Sequence, residues 1–250
     1  MLGSVVVGIG IAGCARMRDL LAPLPSSSAE KFSIKGFVSR RSLEDQQGVK
    51  QISMTEALSR DDIHVAFICT ENTSHEEHIR QFLEAGKHVC VEYPVTLSYT
   101  SAVDMWNLAQ QKGLVLHEEH IELLTPDFKQ LKKDIAGKTL EEGTLRFTGN
   151  DCIMGQLSHA QNLPLTWIEE RGPGLGRAKH IHLHFQDASI TELPAGQREP
   201  VGLFMQDLVL FGRKLQGEVS AAELQEERSR ILHCLQLADR IQQLSEHTQA

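Results

Sequence analysis

Val5-Val6-Val7-Gly8-Ile9-Gly10-Ile11-Ala12-Gly13 is a β-branched run that leads into three glycines at GxGxxG spacing. Its reading depends on what flanks it. Residues 4–7 have strand character, and residues 16–21 have a helical pattern that stops at Pro23. In a strand–turn–helix, Gly8 permits the tight turn and Gly10 lets the backbone approach a diphosphate. Gly13 allows the helix to pack closely on the strand, and the helix N-terminus faces the negative charge. Gly8, Gly10, Ile11, Ala12 and Gly13 are therefore expected to cradle a dinucleotide. The alternative is a glycine-rich turn with a purely structural role.

Outward from this turn, short apolar runs alternate with helical patterns. Strands are expected at 32–38, 64–69, 87–92 and 114–116, with helices at 75–85 and 98–112. Such alternation implies a parallel sheet with helices on both faces, in a dinucleotide-binding domain spanning residues 1–120. Beyond residue 120 the rhythm changes. A helix over 121–135, which Pro126 threatens to break, precedes strands at 140–148, 165–170, 180–185 and 189–193. The gaps between these strands look too short for helical crossovers, so a mainly antiparallel sheet is expected. Helices follow at 201–215 and 221–244, the second opened by a Ser220/Glu223 capping box. The fold class is α/β: an N-terminal parallel sheet, then an α+β domain at 121–250.

Composition narrows the function. A net charge of −8 over 250 residues argues against a nucleic-acid partner. Cys14, Cys69, Cys90, Cys152 and Cys234 are scattered without CxxC spacing, as free thiols in a reducing, cytoplasmic setting would be. No apolar run is long enough to span a membrane. At the end of the second strand stands Ser39-Arg40-Arg41, and no acid follows until Glu44. An acid here would bond a ribose 2′-hydroxyl. Ser39, Arg40 and Arg41 instead suit a 2′-phosphate, so NADPH is expected over NADH, although NADH stays possible. Cys69 and Glu92, at the ends of the third and fourth strands, complete the expected cofactor contacts.

Several segments, in order along most of the chain, resemble the biliverdin reductases. These reductases lie within the wider glucose-fructose oxidoreductase and inositol dehydrogenase family. The segments are Gly36-Phe37-Val38-Ser39-Arg40-Arg41, Glu84-Ala85-Gly86-Lys87-His88-Val89, Val91-Glu92-Tyr93-Pro94 and Leu116-His117-Glu118-Glu119-His120. Further on come Trp167-Ile168-Glu169-Glu170, Gly172-Pro173-Gly174-Leu175 and Arg230-Ile231-Leu232-His233-Cys234-Leu235. The wider family has Glu-Lys-Pro where this chain has Glu92-Tyr93-Pro94, and Tyr there is a feature of the biliverdin reductases. The resemblance implies a Rossmann domain followed by an antiparallel-sheet domain. It also implies NAD(P)H-dependent reduction of biliverdin to bilirubin, with hydride to the central methine bridge and a proton to a pyrrole nitrogen. A sugar or cyclitol dehydrogenase, or a nucleotide-binding interaction protein with weak catalysis, remains open.

Protonation needs a donor within hydrogen-bond reach. Tyr93 follows the fourth strand, at the carboxyl edge where open α/β sheets bind ligands. It is either the donor or the group that orients substrate or nicotinamide. Glu92 and Glu119 complete the candidate catalytic set, with Glu122 a similar candidate; structural or surface acids are the alternative. Biliverdin carries two propionates, and Arg171, Arg177 and Lys179 are the best visible cations to meet them. No metal site is expected. The pairs His75/His78 and His117/His120 lack the i, i+4 spacing of a zincin helix. His180, His182 and His184 share one strand face, either as a polar surface or facing a substrate or metal. Relatives carry a C-terminal zinc-binding pattern whose later cysteines are absent after His233-Cys234. They also have some 40–50 more residues in the second domain, so a segment is expected to be missing near 148–153. A monomer is expected.

Overall fold

A computed structural model describes residues 1–149, 165–171, 176, 178–197 and 199–248. The chain forms two compact units, Met1–Ile121 with Val201–Ala250, and Glu122–Pro200.

In the first unit, β1 (Leu2–Val7), β2 (Phe32–Val38), β3 (Val65–Ile68), β4 (His88–Val91) and β5 (Leu116–Glu118) form a parallel sheet in the order β2-β1-β3-β4-β5. Period-two alternation sends neighbouring side chains to opposite faces. Val5, Val7, Ala66, Ile68, Val89 and Val91 therefore enter one core. Val6, Val65, Phe67 and Cys90 enter the other. On the first face lie α3 (His75–Glu84), α4 (Tyr99–Gln111) and α7 (Ala221–Thr248), through Ile79, Phe82, Met105, Ile231 and Leu235. On the second lie α1 (Ile11–Leu21) and α6 (Leu203–Leu215), through Met17, Leu20, Leu208 and Phe211. Phe32, Phe67 and Phe211 meet there in edge and stacked contacts at 5.6–5.8 Å. The parallel sheet covered on both faces matches the expected fold class. The short helix α2 (Met54–Ser59), capped by Ser53, was not expected.

One boundary differs from the sequence reading. Residues 201–250 were assigned to the second domain, yet α6 and α7 belong to the first unit. Each presents an apolar stripe to the parallel sheet, and burial of those stripes decides the partition. Ser220 and Glu223 form the capping box in both directions: Glu223 N donates to Ser220 Oγ at 3.2 Å and Ser220 N donates to Glu223 Oε2 at 3.0 Å.

The second unit carries α5 (Pro126–Asp134) and a sheet in the order β7-β6-β8-β9, made of β7 (Leu165–Arg171), β6 (Leu140–Gly149), β8 (Ala178–Phe185) and β9 (Ser189–Ile190). Pro126 opens α5 instead of breaking it, because a first-turn residue needs no N–H donor. The β6–β8 and β8–β9 pairings are antiparallel, as expected, but β6–β7 is parallel. The missing segment expected near 148–153 falls, from residue 150 onward, outside the described residues. Ile181, Leu183 and Phe185 pack with Leu131 in a small core.

Candidate nucleotide and active site

The chain leaves β1 for β2 on one side and later places β3 on the other. The carboxyl ends of β1 and β3 therefore flank a topological switch point, where open α/β sheets bind their ligands. At this point Gly8 has φ +93°, a left-handed conformation that glycine adopts freely. A Cβ on Gly13 would lie 1.9 Å from the Gly8 carbonyl oxygen, so helix and turn touch there as anticipated. A Cβ on Gly10 would meet nothing within 4 Å. That open space lies at the N-cap of α1, whose first amides have no helical acceptor. Ile11, beside it, is 94% exposed. The residues present thus fit a diphosphate, with the amides at Ile11, Ala12 and Gly13 as donors.

Ser39, Arg40 and Arg41 lie beyond β2, where Gln51 ties down the loop by donating to the Ser39 and Arg41 carbonyls at 3.0 and 2.8 Å. Ser39 Oγ accepts from the Arg41 amide, and Arg40 Nη2 lies 2.6 Å from Glu71 Oε1, both of these last side chains being exposed. A 2′-phosphate here must therefore compete with Glu71 for Arg40. Cys69 lines the Gly8 turn through its carbonyl, and its Sγ lies 3.8 Å from Glu92 Oε1.

Glu92 does not stand alone at the end of β4. Arg16, wholly buried on α1, holds it through Nε at 2.9 Å and holds Asp207 of α6 through Nη1 at 2.7 Å. Asp207 Oδ1 in turn meets His117 Nε2 at 2.9 Å, and Lys214 Nζ meets His117 Nδ1 at 2.7 Å and Glu227 Oε2 at 2.5 Å. Burial opposes the Asp207 charge, yet Arg16 and His117 hold its carboxyl well below the usual range. Burial also opposes the Glu227 charge, but His117 and Lys214 draw its pKa down to about 2. For His117, burial and Lys214 oppose protonation, but the Asp207 and Glu227 carboxylates outweigh them and raise its pKa. Cys90, His117 and Asp207 place one ligand atom each within 4.8 Å of one another. His117 Nε2 is engaged by Asp207 and Nδ1 by Lys214, and Asp207 is also held by Arg16, so His117 and Asp207 are members of an ion-pair chain beside Cys90. Arg16, Asp207, His117, Lys214 and Glu227 were missed in the sequence reading. The available signal was that Arg16 and Asp207 stand among the residues their helices bury, beside Met17 and Leu20 on α1 and Met205, Leu208 and Phe211 on α6.

Tyr93 follows Glu92, its ring 5.7 Å from the His120 ring. The segment carrying it is pinned from three sides. His75 Nδ1 contacts the Pro94 carbonyl at 2.7 Å, the Val95 amide donates to Glu118 Oε2 at 2.8 Å, and the Glu92 amide donates to the Ile68 carbonyl. His120 Nε2 lies 2.7 Å from Glu118 Oε1. The His-Glu-Glu-His segments thus hold the loop that carries Tyr93. Glu119 accepts from the Ile121 amide at 2.5 Å. Burial, and after it the Glu92 carboxylate, push the Glu119 pKa up to about 7. In the second unit, Glu122 and Lys179 pair with each other at 2.5 Å, so neither stands uncompensated. Arg171 ends β7, with its side chain outside the described residues, and Arg177 lies outside them altogether.

These features define a dinucleotide-dependent oxidoreductase of Rossmann type. Residues 2–120 match the oxidoreductase family with an NAD-binding Rossmann fold, and residues 152–197 match the biliverdin reductase catalytic family. The chain is 44% identical to mouse biliverdin reductase A, over 99% of this chain and 97% of that one. It is 43% identical to human biliverdin reductase A, over 96% and 95%. A crystal structure of Synechocystis biliverdin reductase with biliverdin and NADP+ superimposes with a TM-score of 0.73 at 18% identity, covering 97% of this chain and 98% of that one. The chain belongs to the biliverdin reductase A family.

Two outcomes follow from the site. Gly10→Val should lower the melt only by the cost of a poorer N-cap, because the added Cβ meets no protein, while weakening NADPH binding by about tenfold or more in calorimetry. Unchanged affinity would mean the cradle is not the diphosphate site. For Glu119, the folded pKa of about 7 lies above the ordinary value of 4.5. Its contribution to stability is therefore full below about 4.5 and is lost as pH rises towards 7. Glu119→Gln should flatten that part of the stability–pH profile relative to the parent chain, as read by urea midpoints at successive pH values.

Proposed function

We propose that this chain reduces biliverdin to bilirubin at the expense of NADPH, with NADH a possible substitute. The observation that carries the reading is identity of 43–44% to two biliverdin reductases across nearly the whole chain. The retained cradle, Ser39-Arg40-Arg41 and Glu92-Tyr93-Pro94 support it. Overall, biliverdin, NADPH and a proton give bilirubin and NADP+. The bound nucleotide supplies the hydride. The protein positions the reactants, which is the larger part of such catalysis.

In this reading Arg16 fixes the Glu92 carboxylate beside the nicotinamide end of the cofactor. Tyr93, on its pinned loop, holds or donates the proton for the pyrrole nitrogen. Glu119, with a pKa near 7, is poised to exchange a proton with solvent close to neutral pH. Arg171 and Arg177 are proposed to meet the propionates, Lys179 being tied to Glu122. Tyr93 in place of a lysine disfavours the sugar or cyclitol reading. The four described cysteines are free thiols, as in a reducing compartment such as the cytosol. No described helix is long and apolar enough to cross a membrane.

A second reading has its own support. The match to the mouse relative runs over 291 residues, while this chain has 250, so at least 41 aligned positions have no counterpart here. A nucleotide-binding protein with little turnover is what that loss would leave. Mixing the chain with NADPH and biliverdin, and following loss of the verdin band and growth of the rubin band, separates the two. Turnover is expected, lowered about 10²-fold by Tyr93→Phe if the phenol is the donor. NADPH binding without turnover would favour the second reading, and full rate in Tyr93→Phe would remove the phenol from the proton path.

A further inference from the structure

The outward face of β8 carries three histidines at alternate positions, His180, His182 and His184, all exposed, while Ile181, Leu183 and Phe185 point into the core. We propose that one end of this face binds a divalent transition ion of the zinc class through His182, His184 and the acids of the adjoining β6 bulge. This site is separate from the residues assigned to cofactor and substrate.

Three observations place the ion at the His182–His184 end. The first is register. In the β6–β8 pairing, Glu142 stands opposite His184 and Thr144 opposite His182, whereas Arg146 stands opposite His180. By register alone an acid stands at the His184 end and a base at the His180 end. The second is the irregularity between Leu140 and Glu142, which makes Glu141 an extra residue in the strand and brings a second acid to the same histidine. The third is distance. His184 Nε2 and Glu141 Oε2 lie 3.4 Å apart. That is long for a hydrogen bond. It is an ion-pair distance between two exposed groups, and it also matches two ligands on one tetrahedral ion, where bonds of about 2.0–2.1 Å set an edge of roughly 3.3 Å.

The supporting contacts fit as well. His184 Nδ1 is held by Ser189 Oγ of β9 at 2.9 Å, which fixes the ring and leaves Nε2 for the ion. Ligating histidines are usually oriented in this way by a partner on the other nitrogen. His182 lies two residues along the same face, about 6.6 Å away at the backbone. Its imidazole does not converge with His184 and Glu141 as the chain stands, so the proposal requires the exposed His182 side chain to rotate onto the ion. Two imidazoles and a carboxylate, with water at the fourth position, form a donor set that suits zinc, nickel or copper better than calcium or magnesium.

The test is calorimetric titration of the metal-free, untagged full chain with zinc chloride near neutral pH, alongside His182→Ala/His184→Ala and His180→Ala variants. Exposed side chains are changed, so NADPH affinity and the melt serve as controls for folding. One zinc per chain is expected, with affinity at least about tenfold weaker in the double variant and within about threefold of the parent in His180→Ala. Glu141→Gln should weaken binding as well, and acidification that protonates imidazole should release the ion. Undiminished binding in the double variant, or the largest loss in His180→Ala, would overturn the assignment, as would no zinc uptake by the parent chain.

Discussion

A single buried guanidinium holds the first unit together at its chemically important end. Arg16 has no exposed side-chain surface, and it bridges Glu92 on the cofactor edge of the sheet and Asp207 on a helix contributed by the last fifty residues. Removing a charge from water costs several kcal/mol per ion, so such a group persists only where partners surround it. Here they do so in series, from Glu92 through Arg16, Asp207 and His117 to Lys214 and Glu227. The same chain of contacts explains why α6 and α7 join the nucleotide-binding unit. Apolar stripes bury them, and the ion pairs fix where along the sheet they sit. A carboxylate at the active edge is thereby aimed by residues far away in sequence.

Much of this architecture was legible in the chain itself. The glycine spacing at Gly8, Gly10 and Gly13, the alternating runs, and the capping box at Ser220 and Glu223 are local signals, and local physics decides them. Pro126 was misleading only in its position. The same residue breaks a helix interior and opens a helix first turn. What could not be read was long-range. Nothing next to Arg16 in sequence announces Glu92 or Asp207, and the domain partition depended on which sheet the final helices would cover. The parallel β6–β7 pairing was hidden for a similar reason, since the strands' own residue pattern does not fix pairing direction.

The site residues divide along the same line. The turn proposed to cradle the diphosphate is a backbone feature tied to three glycines and needed no tertiary information. The place of Tyr93 after the fourth strand was legible in the sequence. Its surroundings were not, because His75, Glu118 and His120 support its loop only once α3 and the end of β5 have been assembled around it. Lys179 shows the reverse. As a sequence it is a free cation beside a turn, and in the fold it is matched by Glu122.

The most direct test of this account is the unfolding free energy of Arg16→Met, measured by equilibrium urea denaturation beside the Arg16→Met/Asp207→Leu double variant. Breaking a buried pair from one side leaves an uncompensated charge, so the single variant should lose about 3–5 kcal/mol, and the double variant should recover a large part of that loss. A single variant within about 0.5 kcal/mol of the parent, the range of an ordinary surface change, would contradict the claim that this guanidinium organises the site.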